Sequence, residues 1–155
     1  AMYAGMLGHK ARQQQSGAEG AENERAVRWT GTRAEIALEL YGRADIFYPT
    51  QDPPLVEELK LCAAQPPAAP LPAHRAQALC YAFMLCEELE LSQIALRVSY
   101  ITQQGDVCAV FDESLTREQA AAEFEAIVLP YARFRALQDD YPAPRNASIA
   151  QLPFP

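Results

Sequence analysis

Asp45 stands in an otherwise apolar run, followed directly by Ile46, Phe47 and Tyr48. A carboxylate carried into a strand of that kind costs several kcal/mol unless it is paired or bound to a cation. Arg43, two positions earlier and on the same strand face, is the ordinary partner; a bound cation is the other. Thirteen residues on, Glu58 and Lys60 flank Leu59. Alternation puts Glu58 and Lys60 on one face of a strand, and Glu57 on the other with Leu55 and Leu59, so an ionisable group is carried into whichever face is buried. An edge strand with a solvated Glu and Lys is the plain alternative. The basic side chains number eleven Arg and two Lys, Lys10 and Lys60. A lysine kept in such a chain points to a role for a compact point charge. Farther along, His74, Gln77 and Tyr81 fall at i, i+3 and i+7, one stripe of a helix, with an exposed His74 and a half-buried Tyr81 as the plain reading.

The elements that must position these groups can be drawn from pattern. Tyr3 to Gln15 reads as a helix with Met6 and His9 near one face, and Ser16 to Glu24 as an exposed loop. Arg33 to Tyr48 reads as two strands joined at Gly42, and Leu55 to Cys62 as a third. Prolines between Pro66 and Pro72 form a loop, and Ala73 to Leu91 is a helix apolar on most faces. Gln93 to Thr102 and Asp106 to Phe111 make a hairpin around Gln104-Gly105. Thr116 caps a last helix that buries Phe124, Ile127, Val128 and Tyr131. The order predicts a mixed α/β fold with one sheet.

At 155 residues the chain is long enough for one core without disulfides or structural metal. Cys62, Cys80, Cys86 and Cys108 have no C-x-x-C pair and read as reduced core residues. No apolar run is long enough to span a membrane and no secretion signal is evident, so a cytoplasmic location is expected. A net charge of -7 argues against a broad basic face for nucleic acid, leaving local or metal-mediated contact.

Taken in order, Asp45, Glu58-x-Lys60 and Gln77-x-x-x-Tyr81 resemble the motifs of the PD-(D/E)XK nuclease superfamily. Gly5-x-x-x-His9 on the preceding helix is similar to the histidine motif of its RecB-like branch, and the resemblance runs from residue 5 to about 135. It implies a restriction-endonuclease-like core, a mixed central sheet flanked by helices, and metal-dependent hydrolysis of DNA phosphodiesters with Mg²⁺ or Mn²⁺ as cofactor. By the same resemblance Asp45, Glu58, Lys60, Gln77 and Tyr81 are catalytic, and His9, Asp45, Glu58 and the Leu59 carbonyl are metal ligands. His74 and Arg75 are read as substrate contacts. No iron–sulfur cluster is expected, because the cysteines of cluster-bearing relatives have no counterparts. The domain is expected to cover residues 1–138. Residues 139–155, with prolines at 142, 144, 153 and 155, resemble a linker toward a DinG- or XPD-like helicase domain, which with DNA would be the partner. The competing expectations are a catalytically inactive nuclease-like domain that guides DNA or packs on a motor, and an unrelated α/β interaction domain.

Overall fold

The computed structural model describes residues 2–17, 20–138 and 146–154. Helix α1 (Met2–Gly17) leads into strands β1 (Glu22–Arg33), β2 (Ile36–Tyr48) and β3 (Leu55–Leu61). Helix α2 (Pro72–Glu88), strands β4 (Gln93–Ile101) and β5 (Val107–Thr116) and helix α3 (Arg117–Ala136) follow, then the short strand β6 (Asn146–Ser148) and one 3-10 turn, Ile149–Gln151. The six strands form one sheet in the order β1-β2-β3-β4-β5, with β6 beside β2. β3 and β4 run parallel, as do β2 and β6, and the remaining neighbours are antiparallel. The fold is therefore α/β with a mixed sheet. The β3-α2-β4 unit is its parallel crossover, which needs a helix-length connection.

One sheet face is covered by α2 and α3. The contact is apolar, through Leu79, Phe83, Met84 and Phe124 against Leu40, Leu96 and Val98. Phe83 and Phe124 stack at 4.3 Å between ring centroids. α2 is buried along most of its length, from Ala78 to Cys86, as its all-round apolar pattern predicts. α3 starts where expected: the Thr116 side chain accepts from the Gln119 N–H and the Gln119 side chain accepts from the Thr116 N–H, a capping box. The other face holds a smaller apolar cluster of Ile46, Tyr48, Leu55, Leu59 and Ile101.

Four expectations are corrected. The first hairpin turns at Ala34-Glu35, whose φ angles are 48° and 63°, and not at Gly42. Two consecutive left-handed residues make the tight turn that matches strand twist, and here neither is the glycine that signals it. β2 runs unbroken through Gly42, where a Cβ would lie 2.5 Å from Cε1 of Tyr81. Ser16 is not in an exposed loop. It is buried at the end of α1, its hydroxyl donating to the Gln13 carbonyl at 2.8 Å, while Glu22 to Glu24 already belong to β1. Of the cysteines, Cys80 and Cys86 are core residues, whereas Cys62 is half-buried and Cys108 exposed, because β5 turns alternate residues to solvent. Finally, the last segment, expected as a linker, is in part packed on the sheet. Residues 139–145 lie outside the described ones, but Asn146–Ser148 pairs with Glu39–Tyr41 of β2, and Ala147, Ile149 and Leu152 are buried. The stretch between Pro144 and Pro153 is free of proline, so its amides can join a ladder and its apolar side chains can dock.

Candidate functional site

The site forms where two strands part. β2 pairs with β3 only from Ile46↔Glu57 to Tyr48↔Leu55. Asp45 and Glu58 are the first residues beyond the last pair, at the crotch of a fork. On its other side, the β1–β2 ladder skips the pair Glu24 and Asp45, and Glu24 has φ 51°. An irregularity of this kind shifts which face a side chain takes. Leu38, Leu40 and Ala44 lie in the α2 cluster, while Ile46 and Tyr48 lie in the cluster on the opposite face. Asp45 sits at that switch, between the two faces.

Its carboxylate is held there by backbone: Oδ2 accepts from the Leu59 N–H at 2.8 Å. Its backbone carbonyl accepts from Gln13 Nε2 at 3.0 Å. Oδ1 lies 3.6 Å from His9 Nδ1 of α1. Asp45 is thus engaged by β3 and α1, and the plain reading of a pair with Arg43 does not hold. Leu59 enters the site through its N–H.

Glu58 is buried beside it. Lys60 Nζ lies 3.2 Å from Glu58 Oε1, and Glu58 Oε2 is buried with no hydrogen-bond partner. β3 has β2 and β4 as neighbours, so the reading of a solvated edge strand fails. Burial, then the adjacent Asp45 charge, push the Glu58 carboxyl well above its ordinary range, against the opposing pull of Lys60. Burial raises Asp45 as well, with the Leu59 N–H and the charges of His9 and Lys60 working the other way. Two carboxyls side by side with raised affinity for positive charge are a proton- or cation-seeking pair.

α2 supplies the rest. Lys60 Nζ donates to Gln77 Oε1 at 2.7 Å, and Gln77 Nε2 donates to Tyr81 OH at 3.1 Å. Burial, then the Glu58 charge, push the Tyr81 phenol up to about 12, so it stays protonated. The predicted stripe therefore divides. Gln77 and Tyr81 reach the site, while His74 is bound elsewhere, its Nδ1 2.9 Å from Tyr100 OH. Burial and then the Lys60 charge lower the His74 pKa. Arg75 is bound to Glu113 at 2.6 and 2.9 Å and to Glu123 at 2.8 Å, so it is engaged in a surface ion network. His9 reaches Asp45 but makes no such contact with Glu58, and among the described residues no three His, Cys, Asp or Glu side chains gather as a ready-made metal cluster.

The sequence reading does not identify the partners of Glu57 on the opposite face. Glu57 takes Arg12 Nε and Nη2 at 3.0–3.2 Å, Tyr48 OH at 3.1 Å and Ser99 Oγ at 3.2 Å. Strand alternation shows that Glu57 faces inward. Nothing in the pattern identifies Arg12, 45 residues away, as its partner.

No family model matches the chain, and no curated protein matches it. Among solved structures, one described as "Crystal structure of SSO0001" superposes with a TM-score of 0.50 at 15% identity, over 81% of this chain and 57% of that one. The chain thus spans somewhat more than half the length of that neighbour, and likeness at this identity concerns the fold alone.

Proposed function

We propose that the chain is a metal-dependent deoxyribonuclease domain of the PD-(D/E)XK type, with its centre at the β2–β3 fork. One observation carries the reading: Glu58 Oε2 is buried without a partner beside a second carboxylate, Asp45. An unsatisfied buried carboxylate oxygen is costly, and a divalent cation is the ligand that would satisfy both groups. The donor set of carboxylate oxygens suits Mg²⁺ or Mn²⁺, and the imidazole of His9 beside Asp45 inclines it toward Mn²⁺. When bound, the cation would supply positive charge against the negative charge that develops on the phosphate.

The chain's own groups account for the remainder. Lys60 is held at 2.7 Å by Gln77, with its ammonium directed to the fork, where it would orient water and stabilise the developing charge. Gln77 is in turn fixed by the protonated Tyr81, so a hydrogen-bonded chain sets the position of the ammonium. The expected helicase partner rests on the likeness of residues 142–155 to a linker. Since β6 is anchored on β2, the proposal is restricted to the nuclease chemistry.

The test is cleavage of end-labelled single- and double-stranded DNA with Mg²⁺ or Mn²⁺. Wild-type protein is expected to cut, and Asp45→Ala, Glu58→Ala and Lys60→Ala to lose activity while remaining folded. Equal cleavage by a clean Lys60→Ala preparation defeats the assignment. Metal binding without any cleavage points to the catalytically inactive alternative.

A further inference from the structure

α1 brings His9 to Asp45, yet its described side chains supply no apolar attachment. No described side chain of α1 belongs to either apolar cluster. Met6 and Leu7 are exposed, and the positions α1 buries are Gly8, Gln13 and Ser16. A helix of this length is marginal by itself in water and normally takes its stability from an apolar stripe. Here polar contacts take that place. Arg12 bonds Glu57 with two nitrogens, Gln13 Nε2 donates to the Asp45 carbonyl, Asn23 Nδ2 donates to the Gln13 carbonyl at 3.2 Å, and Ser16 Oγ lies 3.2 Å from Asn23 Oδ1. Gly8 lets the helix approach closely, since a Cβ there would be 2.5 Å from the Thr102 carbonyl oxygen. Gly5, the glycine of the histidine motif, has open space around it. The strongest of these contacts is Arg12–Glu57, a two-pronged charge-assisted bond to a carboxylate with no solvent exposure.

We infer that Arg12 is a positioning residue: by latching α1 to Glu57 it fixes His9, three residues earlier, against Asp45, so that the site is complete only when the latch is closed. The residue acts through the backbone of α1 and touches neither Asp45 nor Glu58. The metal half of this inference rests on the proposed function. The latch half does not, and the two can be tested apart.

Hydrogen exchange of the metal-free protein tests the latch. Arg12→Ala is expected to speed exchange of the α1 amides at least tenfold beyond whatever protection α2 and β4 lose to its global destabilisation. Titration with MnCl₂, followed by calorimetry, tests the coupling. Arg12→Ala and His9→Ala are each expected to weaken Mn²⁺ binding about tenfold, in the range seen for groups that orient a ligand. The double variant should be no weaker than either single one. Arg12→Lys, which keeps the charge but loses the planar fork, should show the same pattern at smaller amplitude and serves where Arg12→Ala does not fold. Unchanged α1 exchange, or losses of Mn²⁺ affinity that multiply in the double variant, would overturn the inference. If the wild type binds no Mn²⁺, the metal reading falls and the exchange result alone supports or overturns the latch.

Discussion

Glu57 and Glu58 are consecutive on β3 and nearly equally hidden, at 0% and 3% exposure, yet their surroundings are opposite in kind. Glu57 has a guanidinium, a phenol and a hydroxyl around its two oxygens. Glu58 has one ammonium on one oxygen, and for the other no donor, only the neighbouring Asp45 carboxyl. A strand cannot send two adjacent side chains to one face, so each sheet face received one acid. The face under α1 is satisfied within the protein, and the face toward α2 is left short of positive charge. The first arrangement holds an element in place, and the second is the arrangement on which the proposed cation site rests.

The contrast breaks most readily on the satisfied side. Arg12→Ala would strand a fully buried carboxylate and is expected to cost about 3–5 kcal/mol of folding stability, measured by urea denaturation. A cost below about 1 kcal/mol would mean that Glu57 finds another partner. Gly42→Ala should come next. The added methyl meets the Tyr81 ring at 2.5 Å, and overpacking of this kind costs about 1–3 kcal/mol. Because Tyr81 holds Gln77, this variant should also lower cleavage more than its stability loss explains.

On the unsatisfied side the sign reverses. Glu58→Gln removes the penalty of keeping this carboxyl buried, either charged or with its proton held above its ordinary range, and the metal-free variant is expected to be more stable than wild type by about 1–2 kcal/mol at neutral pH. The difference should depend on pH in a defined direction. The folded protein keeps a proton on Glu58 to higher pH than the unfolded chain, which releases it near 4.5. The stability tied to that proton is fully present below 4.5 and is lost as pH rises through the raised folded value. Asp45, raised from 3.8, acts in the same direction. Thermal melts of both proteins in chelator should therefore diverge as pH increases, with the variant on top; convergence at alkaline pH contradicts the account. The smallest effect is reserved for Tyr81→Phe, which removes the acceptor of Gln77 and should cost about 1 kcal/mol. Its signature is a larger drop in kcat than in stability.

How much of this was legible in the sequence depended on whether the determinant was local. The cap at Thr116, the buried α2 and the placing of Glu57 and Glu58 on opposite faces of β3 follow from side-chain type and period, and they appear where pattern puts them. Gln77 and Tyr81 share a helix stripe and so reach the same place, but His74, on that stripe, is drawn to Tyr100, whose position depends on β4. The fork was not legible, because it comes from β2 exchanging β3 for β6 as its neighbour, a choice made by residues a hundred positions apart. The turn at Ala34-Glu35 was missed because neither residue advertises a left-handed backbone, and Gly42 misled because it serves a tyrosine from another element. Arg12 could not be separated by type or spacing from the chain's other arginines.

The most direct measurement is a calorimetric titration of MnCl₂ into wild-type protein and Glu58→Gln, near neutral pH, in two buffers of different ionisation enthalpy. If the Asp45–Glu58 pair is a cation site, the wild type binds Mn²⁺ saturably and releases protons to the buffer, because a carboxyl held above its ordinary range must ionise to become a ligand. Glu58→Gln should bind far more weakly and release fewer protons. Absence of saturable binding, or binding and proton release unchanged in Glu58→Gln, would contradict the claim that the unsatisfied carboxylate at the fork is the centre of the protein's chemistry.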